Sequence, residues 1–189
     1  MRLFFAIDLP AEVKAHVAAA CDALALDRAR WRLVRADALH LTLRFLGEVD
    51  ASLLPALRAI GSGAVARLPG IPCSLGTLGT FPRGARARIL WVGLEDRSAG
   101  GDLARLARAL EDGVRGAGFA PEERAFAPHV TIARARTPTR PPALPPAAPQ
   151  ASFVARELAL VRSHLGPAGS RYELVEAFPM CQDAGGGGP

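Results

Sequence analysis

The chain has 189 residues, half of them hydrophobic, which is enough for a packed core and excludes a wholly disordered chain. Its formal net charge is +5, and Lys14 is the only lysine among 23 basic residues. No run of about 18 apolar residues is present, which argues against a transmembrane helix. The apolar start, MRLFFAIDLPAEV, is interrupted by Asp8 and Pro10 and does not read as a signal peptide. Arginine grips phosphate through a planar fork, so a phosphate-bearing partner fits, although a GC-rich genome would produce the same arginine excess. The three cysteines, Cys21, Cys73 and Cys181, are odd in number and widely spaced. They suit a reducing cytosol, and hence a cytoplasmic protein, better than a disulfide framework or a zinc site.

In chain order, Arg2–Asp8 reads as a buried strand. Pro10 stands where a helix can begin, and Val13, Val17, Cys21 and Leu24 recur at helical spacing over roughly residues 11–26. Trp31–Val34 is a short strand, and Leu39–Leu46 alternates as a strong one. Asp50 caps a second helix carrying Leu53, Leu54, Leu57 and Ile60. Ile71–Leu78 is a strand, Gly79–Arg86 a turn or loop, and Arg88–Leu94 another strand. A third helix buries Leu103, Leu106, Ala107, Leu110 and Val114 and ends at Gly116 and Gly118. His129–Ala133 is a strand. The proline-rich stretch Thr137–Gln150 is expected to be an extended loop. Phe153–Val161 and Arg171–Phe178 pair around a Gly166–Gly169 turn, and a Gly-rich tail over 181–189 is expected to be disordered. Strands and helices mix without strict alternation, which predicts an α+β fold for residues 1–180.

Two of the four histidines open the same pattern, His40-Leu41-Thr42-Leu43 and His129-Val130-Thr131-Ile132. Residues i and i+2 of a strand share a face, so each His and its Thr project together while the aliphatics bury behind them. Four histidines and six threonines give about 0.13 His-x-Thr triplets by chance, so a matched pair suggests an internal duplication. Two histidines near neutral pKa supply one general base and one general acid, and the threonine hydroxyls can donate to phosphate oxygens. No metal-ligand spacing and no glycine-rich nucleotide loop accompany them, so no cofactor is expected.

The stretches RLFFAIDLP, LHLTLRFLGEV, RILWVGL and FAPHVTIAR together resemble the two-histidine phosphoesterase superfamily. Within it the chain is similar to the RNA 2′,3′-cyclic phosphodiesterases, also called 2′-5′ RNA ligases. The resemblance implies a bilobal fold of two pseudo-symmetric antiparallel sheets, flanked by helices, around a central groove. It implies metal-independent hydrolysis of an RNA 2′,3′-cyclic phosphate end, or of a cyclic nucleotide, to a 2′-phosphate by a monomer. His40 is expected as general acid and His129 as general base, assisted by Thr42 and Thr131. Phe45 and Arg134, five positions after each histidine, are expected to stack on a base and grip phosphate; strict alternation puts neither on its histidine's face, so both need a twist or bulge. The alternatives are action on 2′-5′ linkages and a catalytically silent RNA-end binder. His16 and His164 are expected to be structural or on the surface. Ser163, Arg171 and Tyr172, and the cluster Arg83, Arg86 and Arg88, are expected at the surface, with groove or RNA contact the sharper alternative.

Overall fold

The computed structural model describes residues 1–145, 150–166 and 169–181. The chain opens with β1 (Arg2–Asp8) and α1 (Ala11–Ala23), then β2 (Trp31–Leu33) and β3 (His40–Glu48). Asp50 acts as the expected cap, its side chain accepting from the Ser52 amide of a short 3₁₀ turn that runs into α2 (Leu54–Val65). Next come β4 (Ile71–Phe81), β5 (Ala87–Asp96), α3 (Asp102–Gly116) and β6 (His129–Thr139). The last elements are β7 (Ser152–Ala155), β8 (Glu157–Gly166) and β9 (Gly169–Pro179).

The strands form one curled sheet in the order β7-β4-β5-β6-β3-β1-β8-β9, with β2 added beside β6. Neighbouring strands along it pair antiparallel. The bilobal α+β expectation holds, but the two half-sheets are continuous. They meet between β3 and β6 through the single Cα pairing Leu41↔Val130. Outward from that seam, each half is a His-x-Thr strand, a strand paired with it, and two more.

Leu3, Phe5 and Ile7 of β1 and Leu158 and Leu160 of β8 are all at most 1% exposed, and they build the core behind one half. The α2 helix packs on β8 and β9, and α3 packs on α2 and β3. The buried face of α3 is Leu103, Leu106, Ala107, Leu110 and Val114, the set its spacing predicts. Past its end, Gly118 takes φ 91°, a left-handed value suited to glycine.

Three expectations need correction. Gly79–Phe81 is not a loop, because β4 runs on to Phe81, paired with Ile89–Trp91 of β5. Similarly β6 reaches Thr139, so the proline-rich stretch leaves the sheet only at Arg140; residues 146–149 lie outside the described residues. Phe153–Val161 is not one strand: β7 pairs with β4 in one half and β8 with β1 in the other. The switch falls at Arg156, whose carbonyl accepts the Met180 amide. Alternation specifies a strand but not its partner, so the crossover leaves no local signal. Residues 167–168 of the expected turn and 182–189 of the expected tail lie outside the described residues. Cys181 is joined to the body, its amide donating to the Leu68 carbonyl at 2.8 Å. Among the described residues no helix is long and apolar enough to cross a membrane.

Candidate active site

The seam between the half-sheets brings the two His-x-Thr motifs together. Leu41 and Val130, 1% and 0% exposed, are the pair that joins β3 to β6. Extending that antiparallel register by one residue each way sets His40 opposite Thr131 and Thr42 opposite His129. All four polar side chains therefore stand on one face, over an apolar floor. They line a pocket of about 30 Å³ with Val34, Ala38, Arg134 and Tyr172.

Each imidazole is held in the same way. His40 Nδ1 lies 2.9 Å from the Ala38 carbonyl oxygen, and His129 Nδ1 lies 2.7 Å from that of Ala127. A carbonyl only accepts, so Nδ1 carries the proton in both rings. This leaves Nε2 of the neutral ring free to accept a proton in the pocket. At His40 the Thr42 hydroxyl donates to Nε2 at 3.1 Å. Among the described residues the His129 Nε2 has no such partner.

Aromatic rings flank both histidines. Phe4 of β1 and Tyr172 of β9 lie 4.9 Å from the His40 ring, Tyr172 edge-on at 85°. Phe81 of β4 stands edge-on to His129 at 5.1 Å and 82°, with Trp91 of β5 at 6.1 Å. The Trp91 ring lies over Gly79, where a Cβ would collide with it. Burial pushes the His40 imidazole below its ordinary pKa of 6.5. The Ala38 hydrogen bond and the Asp8 carboxylate oppose that shift, while the positive charges of Arg134 and Lys14 add to it. Lys14 is itself paired with Asp8 at 2.7 Å.

A bulge in each strand resolves the parity problem at the fifth position. On β3 the register with β1 shifts between Thr42 and Arg44, so Leu43 and Arg44 are both buried and Phe45 returns to the groove face. On β6 it shifts between Thr131 and Ala133, Ile132 and Ala133 are both buried, and Arg134 returns likewise. Arg134 reaches the pocket lining, whereas Phe45 stands outside it, 39% exposed, with the Arg2 guanidinium 4.6 Å over its ring. Behind Phe45, the buried Arg44 donates to Glu111 of α3 and to the carbonyls of Phe45 and Ala120.

Of the other candidates, Tyr172 lines the pocket although the sequence favoured a surface role. Neither the sequence position of Phe4 nor that of Trp91 or Phe81 pointed to the site, since only strand register places them there. His16 is on the surface, its Nδ1 donating to the Glu12 carbonyl, and His164 pairs with Glu173 at 2.7 Å. Arg171 opposes His164 across the β8–β9 ladder, outside the pocket lining, as is Ser163. Arg83 and Arg86 occupy the exposed β4–β5 hairpin and Arg88 the exposed start of β5, all outside the pocket. A larger cavity, about 290 Å³, lies between α2 and α3. Its charged lining residues among those described are Arg67 and Arg105, the latter paired with Asp102, whereas both His-x-Thr motifs line the smaller pocket.

The profile of the 2′-5′ RNA ligase superfamily matches residues 10–167. The chain belongs to that superfamily. It is 33% identical to an RNA 2′,3′-cyclic phosphodiesterase of Escherichia coli, over 96% of this chain and 97% of that one. It is 35% identical to the enzyme of the same name from Thermus thermophilus, over 95% and 90%. A crystal structure of a Thermus thermophilus protein superposes with a TM-score of 0.81 at 32% identity, covering 97% of this chain and all of the other.

Proposed function

We propose that this member of the superfamily hydrolyses RNA 2′,3′-cyclic phosphate ends to 2′-phosphates. The observation that carries the reading is the pair of histidines, each with Nδ1 bound to a backbone carbonyl and Nε2 aimed into one pocket across the β3–β6 seam. One imidazole takes a proton from water as its oxygen bonds to phosphorus. The bond to the 3′ oxygen breaks, and the other imidazole, as imidazolium, protonates that leaving oxygen. Thr42, Thr131 and Arg134 donate to the phosphoryl oxygens as charge builds on them. Phe45, exposed on the groove face beside Arg2, stacks on a base in this reading.

Burial favours the reverse of the sequence-based roles. A base must start neutral, and burial favours the neutral form of the His40 imidazole, packed against Phe4 and Tyr172. His40 is therefore the water-activating base and His129 the proton donor. Both histidines come from one chain, so a monomer suffices. The three cysteines are unpaired, which suits the reducing conditions of a cytoplasm.

Relatives support the substrate. Besides the phosphodiesterases named above, a crystal structure of an Escherichia coli homologue complexed with 3′-AMP has a TM-score of 0.79 at 32% identity, covering 96% of this chain and 98% of that one. The test is purified protein in EDTA with a cyclic-phosphate RNA end. Turnover is expected, and its loss in His40→Ala and in His129→Ala. Turnover that survives either substitution contradicts the reading. The superfamily's description favours a second substrate, 2′-5′-linked oligonucleotides, to be compared in the same assay. An RNA end bound and recovered unchanged would instead indicate a silent binder.

A further inference from the structure

The pocket does not stop at Arg134. Strand β2 pairs with β6 so that Arg32 faces Arg134 directly. The flanking pairs Trp31↔Ala135 and Leu33↔Ala133 turn towards the core, with Trp31 3% exposed and Ala133 fully buried. Arg32 is two residues before Val34, which lines the pocket, and Arg136 is two residues after Arg134. Alternation therefore puts Arg32, Arg134 and Arg136 on the groove face, and all three are exposed. Among the described residues no carboxylate pairs with any of them. The next guanidinium along, Arg30, is already paired with Asp27 at 3.2 Å. The ladder thus begins in the pocket and leads away along β6.

We propose that Arg32 and Arg136 form a track for the phosphodiester backbone of the RNA leading to the reacting end. The track makes the site selective for oligonucleotide ends over cyclic mononucleotides. This rests on the hydrolytic reading above. Three unpaired forks set about one strand spacing (~4.8 Å) and one two-residue step (~6.6 Å) apart match repeated phosphates better than they match a single one. The opposite wall of the groove carries Phe4, Tyr172 and Phe45, with the Arg2 guanidinium lying over the Phe45 ring. The RNA body therefore leaves over the β6 half, with the terminal base on the β3 half.

The experiment compares kcat/KM for 2′,3′-cyclic AMP and for a cyclic-phosphate RNA of about eight nucleotides, a length within the usual reach of single-strand binding surfaces. Wild-type protein is expected to prefer the oligonucleotide. In the double variant Arg32→Gln, Arg136→Gln that preference falls about tenfold, through KM. The slope of log affinity against log salt for the oligonucleotide also becomes shallower by about 1.4, two lost contacts at about 0.7 each. A control removing the same charge from α3, Arg108→Gln with Arg115→Gln, keeps both preference and slope. No preference in the wild type, or an equal loss in variant and control, overturns the track. If neither substrate is hydrolysed, the hydrolytic reading fails separately. Binding of the 2′-phosphate oligonucleotide then reads the track by the same salt slope, and an unchanged slope in the double variant overturns it.

Discussion

The two half-sites share a frame and differ in what fills it. In both, a carbonyl two residues upstream fixes the imidazole, aromatic rings flank it, and a bulge returns the fifth residue to the groove. In the β3 half the bulge buries Arg44, which is tied to α3 through Glu111 and to the chain beyond it through Ala120. In the β6 half the same position is Ala133, and the strand edge is covered by β2 instead. The outcome is a half-buried His40 with its Nε2 occupied by Thr42, and a half-buried His129 whose Nε2 has no such partner among the described residues. A duplicated motif thus supplies equivalent geometry, while its surroundings make the halves unequal, as the proposed acid and base roles would need.

The largest effects should come from removing the shared part. His40→Ala and His129→Ala should each lower kcat by about 10²- to 10⁴-fold, and the double variant should be far from additive, because the pair acts as a unit. Arg44→Leu strikes only the β3 half. It leaves Glu111, whose side chain is 22% exposed, without its partner, and should cost about 3 kcal/mol in a urea titration. Full stability in that variant would mean that the bulge holds without the clamp. Gly79→Ala strikes only the β6 half: the Trp91 ring must shift, costing about 1–3 kcal/mol and lowering kcat through His129. An unchanged near-UV tryptophan signal would show that the ring has room.

The smallest effect is in pH dependence. The acid limb of kcat/KM reports the base, so activity should persist below pH 6.5, the ordinary histidine value. Tyr172→Ser opens the His40 ring to water and should move that limb upward, while Asp8, Lys14 and Arg134 still face the ring. Because the folded-state pKa is depressed, the unfolded chain binds more protons in that window. Stability should therefore be full above pH 6.5 and fall as the pH drops towards the folded value. His40→Asn should flatten that slope.

The two His/Thr faces were legible because a strand's period of two fixes which residues share a face, whereas the Leu41↔Val130 pairing that joins them was not. The α3 face was legible for the same reason at period 3.6. The bulges were not, since one extra residue resets parity without altering composition. They were only demanded by assigning Phe45 and Arg134 to the groove. Tyr172, Trp91 and Phe81 enter through cross-strand neighbours, and Arg32 through the pairing of a three-residue strand, and neither relation is written in local sequence. The separation of β7 from β8 at Arg156 is likewise a matter of partners.

The proposed in-line attack by water, with the 3′ oxygen leaving and two imidazoles moving the protons, can be followed atom by atom. The decisive measurement is ³¹P NMR of the product formed from a cyclic-phosphate RNA in ¹⁸O-labelled water and EDTA. The expected product is a 2′-phosphate carrying one labelled oxygen, formed by the wild type and by neither histidine variant. A 3′-phosphate product, or a labelled 2′-phosphate formed at wild-type rate without His40 or His129, would contradict the two-imidazole reaction.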